Sequence, residues 1–422
     1  MRAISVQPND PQADARSLTA ALQLAGPGDV VLVAPGVYSP TQTGEVLPLR
    51  VPAGVAVEGV GADRCVIDGA GQFEPSFAPI DPAQSVVAIG GSASLSGLTV
   101  VNGGGHGIGV LPGARAAIRD CTIARNGDHG IFLSGVDEAT IVGCTFRDNG
   151  LKELRPVLPR GTASAQQGHQ IFAEAHHGRQ NRLVITDNTM HGCFADGLAF
   201  VCFASEPDGV TFEATVLRNV IEASGRGGLL FGGSFGSSGN RLRVVAAGNI
   251  LRNNRMYGIQ TVVASPHAAP VPRNTRLEAL FAANEIVGSP VGIFVRGSGG
   301  ECHDNLGEIV IDRNAIETDA GPAVRIVGAL GVSGVRTANN AVTIVLSRNR
   351  LTGQVPNVAV QAAAFVPGSD SEGSVVRLTV RDNEIGTPSE ASILVSDGPA
   401  GNRVEVETGS QAFARTDGDL LA

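Results

Sequence analysis

One position in this chain returns ten times. It is held by Leu98, Cys121, Cys144, Asn188, Asn219, Asn249, Asn284, Asn314, Asn349 and Asn383, at intervals of 23, 23, 44, 31, 30, 35, 30, 35 and 34 residues. Around it the pattern is constant: apolar alternation, the slot, a short polar turn, often with Gly, and a second apolar alternation, as in "RLVITDNTM" and "LRVVAAGNIL". Period-2 alternation in short pieces punctuated by Gly and Asn reads as strands rather than helices. Strands that recur in a repeating coil pair in parallel with the next coil and bury an inner face along the stack. Asn at a recurring turn can pair side-chain amides from coil to coil. The pattern therefore predicts an all-β, right-handed, single-stranded parallel β-helix of about ten or more coils, a rod on the order of 45 Å long at the ~4.8 Å strand spacing.

A solenoid exposes strand edges at both ends and needs caps. "DARSLTAALQLAG", residues 14–26, has apolar residues at helical spacing and a glycine stop, which predicts an N-terminal capping helix within residues 1–30. Residues 31–405 are then the β-helix, and 406–422 the C-terminal cap or tail. The 44-residue interval carries an excess, "LKELRPVLPRGTASAQQG", residues 151–168, expected as a long lateral loop over one face.

At 422 residues the chain exceeds one ordinary core, a limit that a repeat array escapes. Net charge of −9 argues against nucleic acid as a partner. No run reaches the ~18 apolar residues that span a bilayer, which predicts no membrane partner. Met1 leads into "RAISVQPNDPQADARS" without an apolar segment behind a basic start, so a cytoplasmic location is expected. The six cysteines show no CxxC pair and no zinc spacing, consistent with reduced, packed thiols.

"LTAALQLAGPGDVVLVAPGVY", residues 18–38, places a helix, a Pro-Gly-Asp turn, an apolar strand and a Pro-Gly-x-Tyr stop in order, and "LPLRVPAGVAVEGVGADRCVIDGAG", residues 47–71, continues it. This resembles the opening coils of the pectin-lyase-like superfamily of right-handed parallel β-helices, with the likeness of pattern extending over residues 15–405. The resemblance implies the fold. Superfamily members include polysaccharide lyases, polyuronate epimerases, glycoside hydrolases, pectin esterases and binding or structural proteins, some of them trimers. The signatures of the named enzyme groups, such as an "NTD" with an adjacent "DD", are not present in this chain.

In a β-helix, equivalent positions of successive coils line up about 4.8 Å apart. The residue before the glycine slot of one strand reads His106, His129, His169, Asp196, Gly227, Tyr257, Val291 and Pro322. His106, His129, His169, Asp196 and Tyr257 are the candidate acid–base set, since histidine titrates near neutrality, an aspartate fixes its tautomer and tyrosine can move a proton. Asp128 and Arg226 flank this column, and the arginine suits a substrate carboxylate. "HQIFAEAHHGRQNR" adds Glu174, His176, His177 and Arg179 as substrate-binding candidates. Glu174, His176, His177 and Asp196 are adequate donors for a divalent metal, but without a fixed ligand spacing no metal or cofactor is assigned. The reading is an enzyme of lyase or isomerase type that abstracts a proton next to a carbonyl or carboxylate (elimination, epimerisation or cyclisation). Its substrate is a carbohydrate-like or small metabolite in the lateral groove. The alternative is a non-catalytic glycan- or partner-binding rod with turn-filling histidines, and either reading accommodates a homo-oligomer.

Overall fold

The computed structural model describes residues 1–72, 81, 83–150, 168–203, 208–235, 237–265, 271–330, 336–353, 356–364, 370–386, 392–398, 401–409 and 413–416. The chain forms two compact units, residues 1–174 with 179–199, and residues 175–178 with 200–422. Each is built from coils of three strands that contribute in turn to three parallel sheets. The fold is a right-handed parallel β-helix.

In the first unit, strands Ser92–Ser96, Arg115–Arg119 and Glu138–Val142 stack in the first sheet, Thr99–Val101, Thr122–Ala124 and Thr145–Asn149 in the second, and His106–Val110, Ile131–Ser134 and Ile171–Glu174 in the third. Registers hold without slippage, Ile118 beside Leu95 and Ile141, and Ile131 beside Ile108 and Ile171. Alternation explains this: a one-residue slip would turn every core side chain outward. The first and second sheets bury one face only, whereas Ser85–Ile89, His106–Val110 and Ile131–Ser134 of the third are buried on both. That sheet therefore bears the candidate column on a covered outer face.

The helix is shorter than its sequence pattern, Leu18–Leu24, because the Ser17 side chain accepts Ala20 N–H and caps it there. Asp14 and Ala15 instead engage the first strand, Ala3–Val6, which pairs with Val30–Val33. The first sheet thus begins inside the stretch read as a cap. In the tail, Ala414–Arg415 pairs with Leu394–Val395. Most of the insertion, residues 151–167, lies outside the described residues.

In the second unit seven-residue strands of the first sheet, including Thr211–Leu217, Arg241–Ala247, Arg276–Ala282, Leu306–Asp312 and Ala341–Ser347, stack in register. The repeating slot closes the turn to the second sheet. The side-chain Oδ1 of Asn249 accepts both the backbone N–H and Nδ2 of Asn219 at 3.0 Å, and Asn284, Asn314, Asn349 and Asn383 repeat this at 2.9–3.0 Å. Each preceding residue is left-handed, with φ between 52° and 63° at Arg218, Gly248, Ala283, Arg313, Arg348 and Asp382. Five of the six are not glycine, and the buried amide bonds offset the conformational cost of order 1 kcal/mol or more that each one carries.

Candidate functional site

His106, Asp128, His129, His169 and Asp196 come together in the first unit, each without solvent exposure. The rings of His106 and His129 stack 5.0 Å apart and 5° from parallel, and His169 follows 5.3 Å beyond His129. Phe132 and Phe172 pack against them; Phe172 lies 4.8 Å from His129 and 5.2 Å from His169. The coil spacing sets these separations.

Backbone amides use the imidazole lone pairs. His129 N–H donates to His106 Nδ1 at 3.4 Å, His169 N–H to His129 Nδ1 at 3.3 Å, and Asp196 N–H to His169 Nδ1 at 3.2 Å. An Nδ1 that accepts a bond bears no proton, so each ring is a neutral Nε2–H tautomer. Burial holds His106 at a pKa of about 3, far below its ordinary value of 6.5. Asp128 Oδ2 stands 3.7 Å from His106 Nδ1 and Oδ1 3.7 Å from His129 Nδ1, too far for hydrogen bonds, while Oδ1 accepts Gly168 N–H at 3.1 Å. Asp196 Oδ2 stands 3.6 Å from His169 Nδ1.

His106, Asp128 and His129 also present donor atoms within 4.8 Å of one another, a grouping that could hold a metal ion. A metal at either Nδ1 has to displace the amide already on that lone pair. A pKa near 3 makes His106 a weak base, since general bases work best with a pKa near the operating pH. The column's clearest physical role is to tie successive coils together.

The remaining predicted residues lie elsewhere. Glu174 and His176 are half-buried, while His177 and Arg179 are exposed. Arg179 lies over Gly113, where an added Cβ would come within 2.6 Å of its Nη1.

Arg226 and Tyr257 belong to the second unit. Tyr257 is 3% exposed, and its ring lies flat over Gly227 of the preceding coil, a placement that a Cβ at Gly227 would forbid. Arg226 is half-buried next to that glycine. Beside them stands Arg296, which sequence reasoning missed. It sits in Val291–Gly299 of the third sheet, on the side opposite the core residues Ile293 and Val295. The signal was in "VGIFVRGSG": alternation puts Phe294 and Arg296 on the outer face together. Arg296 Nε is buried without a hydrogen-bond acceptor, and no carboxylate pairs with it among the described residues. Burial lowers its pKa from the ordinary arginine value; Cys302 and Tyr257 oppose that shift, and the charge of Arg226 adds to it. Cys302 donates to Gly299 O at 3.3 Å, and burial pushes its thiol up to about 12. The result is an arginine, a phenol and a second arginine on the outer side of one sheet, with an unfilled donor among them.

Coils of three parallel sheets with such a polar outer face define a right-handed parallel β-helix protein, and the chain has the fold of the pectin-lyase-like superfamily. Residues 85–275 match the family model for a right handed beta helix region, and residues 7–153 match a protein of unknown function (DUF1565). No curated protein matches the chain. Among solved structures it is similar to the catalytic unit of a thermostable GH87 alpha-1,3-glucanase from Streptomyces thermodiastaticus strain HF3-3, with 16% identity and a TM-score of 0.52 over 91% of this chain and 69% of that one. It is also similar to the periplasmic alginate epimerase AlgG (12%, 0.44, 93% and 82%) and to the Azotobacter vinelandii mannuronan C-5 epimerase AlgE4 A-module (15%, 0.40, 94% and 94%). At these identities the likeness is one of fold. Among the described residues no helix is long and apolar enough to cross a membrane.

Proposed function

We propose that the protein is a carbohydrate-active β-helix enzyme of lyase or isomerase type, acting on a carboxylate-bearing saccharide or small metabolite. Its working centre in this reading is Tyr257 with Arg226 and Arg296. The observation that carries it is the unfilled Nε of Arg296, a buried cationic donor without a protein acceptor. Such a donor costs about 1–3 kcal/mol unless a ligand fills it, and a carboxylate matches the guanidinium fork. Binding that carboxylate to arginine stabilises the negative charge that develops when the adjacent C–H loses its proton. Tyr257, packed against Gly227, acts as its phenolate: it takes that proton and, as the phenol, returns it to the carbanion or to the leaving oxygen, so that it ends as it began. The histidine column then serves as the wall of the fold, not as the base.

Proton abstraction next to a carboxylate leaves a trace in either outcome: re-protonation, with or without epimerisation, puts solvent hydrogen on that carbon, and elimination leaves it in a C=C bond of an unsaturated uronate. Uronate-containing oligosaccharides incubated with the protein in D2O should either gain deuterium at that carbon, detected by mass spectrometry, or yield an unsaturated product, detected by its ultraviolet absorbance. Tyr257→Phe should lower exchange or elimination by about 10²-fold or more, and Arg296→Gln by a similar factor. Exchange or elimination that survives both substitutions would overturn the assignment. Saturable binding with neither would favour the non-catalytic reading.

A further inference from the structure

Phe294 does not join the aromatic core. Phe231, in the same sheet two coils earlier, points inward at 0% exposure and stacks on Phe281 with ring centroids 6.0 Å apart. Phe294 takes the other face of its strand, the face that carries Arg296, and is half-buried. Among the described residues no ring and no cation stacks on it. Its neighbours in register are polar, Gln260 in the coil before and Arg325 in the coil after. Gln260 is 8% exposed, and its amide hydrogen-bonds no described residue. An amide so closed from solvent is costly to leave without a partner. Val291 pairs with Tyr257, so along its strand Phe294 stands between the row of Tyr257 and Arg296.

We propose that Phe294 and Gln260 set the specificity of this site, selecting a carboxylate carried on a six-membered sugar ring over a carboxylate on an open chain. The inference rests on the reading of Arg296 as the carboxylate donor. One outer face brings together an unfilled cationic donor, an unstacked aromatic ring two residues away and an unfilled amide in the coil before. A small number of polar groups beside an apolar surface is what fixes the orientation of a bound small molecule.

Two positions along one strand face are ~6.6 Å apart, so a pyranose lying on Phe294 brings a carboxylate on its own ring carbon to the Arg296 guanidinium. The C–H faces of a pyranose are apolar, with positive hydrogens that match the negative face of a benzene ring. Gln260, ~4.8 Å away in the neighbouring coil, offers a donor and an acceptor to the hydroxyls on the sugar's rim. An open-chain acid gives Arg296 the same carboxylate. It presents no flat face to Phe294 and no fixed hydroxyl to Gln260, and it has rotors to freeze on binding.

Isothermal titration calorimetry on the full chain tests this with two acids: the methyl glycoside of glucuronate, locked as a pyranose, and gluconate, which is open-chain. The wild type should bind the glycoside at least about tenfold more tightly than gluconate. Phe294→Leu and Gln260→Leu should each lower glycoside affinity about tenfold and leave gluconate within about twofold. Phe294→Tyr, which keeps the aromatic face, should keep the preference. Equal binding of the two acids by the wild type, or glycoside binding unchanged in either leucine variant, would overturn the specificity assignment while the carboxylate site stands. Binding of neither acid would overturn the reading of Arg296, and this inference with it. The wild-type comparison decides the question even where a variant fails to fold.

Discussion

His129 gives its backbone N–H to Nδ1 of His106, 3.4 Å away, and the two rings lie 5.0 Å apart and 5° from parallel. The bond ties each ring's tautomer to the stacking of the next coil. It also sets a pH dependence. The folded pKa of His106, about 3, lies below the unfolded value of about 6.5, so the unfolded chain takes up a proton that the folded chain refuses. This contribution to stability is full above pH 6.5, declines as pH falls from 6.5 to 3, and is flat below. Over that window it amounts to at most about 5 kcal/mol. Urea unfolding between pH 7 and pH 4 should show stability falling with acid, and in His106→Gln the slope should drop by about one proton. An unchanged slope would show that His106 titrates normally.

Asn284 anchors two coils at once, accepting from Asn249 and donating Nδ2 to Ala246 O at 2.9 Å. Asn284→Ala strands the buried donors of Asn249 and one buried carbonyl. Thermal or urea unfolding should register a loss of about 2–4 kcal/mol. A loss below ~1 kcal/mol would mean that the other coils hold the turn unaided.

Glu45 fixes the capping helix from outside it. Its carboxylate, 4% exposed, accepts Leu18 N–H at 2.9 Å, Thr19 N–H and the Thr19 hydroxyl at 2.7 Å, and the Thr43 hydroxyl at 2.9 Å. Negative charge at a helix N-terminus is favourable as well. Glu45→Ala should cost about 2–4 kcal/mol and expose residues 18–24 to proteolysis. Resistance equal to the wild type would contradict this.

Gly227 makes room for Tyr257. Gly227→Ala places a methyl group where the ring lies, so the ring must move. Stability should fall by about 1–3 kcal/mol. Under the proposed function, deuterium exchange should fall with it, whereas Gly233→Ala, which meets Val263 O and Thr275, should cost stability while sparing exchange. Equal loss of exchange in both variants would sever the link to Tyr257.

The architecture was legible because a β-helix repeats its physics at every coil. The slot from Leu98 to Asn383 marked the turns, and registers such as Gly227 to Tyr257 to Val291 follow the column read from spacing alone. The column's chemistry was not legible. Sequence placed His106 and His129 in line, but only the coordinates show amides on their Nδ1 atoms and rings closed from water, a consequence of packing on both faces of the third sheet. Arg296 escaped for the opposite reason. Its column neighbours are Val262 and Val327, so no recurring polar residue drew attention to it, and its importance lies in the acceptor it lacks.

The proposed reaction requires Arg296 to meet a carboxylate, and the Nε–H resonance of Arg296 reports that contact directly. In ¹⁵N-arginine-labelled protein, titration with glucuronate should shift the Arg296 Nε–H signal saturably and leave it in place when neutral glucose is added, with Arg296→Lys used to assign the peak. A signal that ignores glucuronate, or that moves equally with glucose, would contradict the carboxylate site and the mechanism built on it.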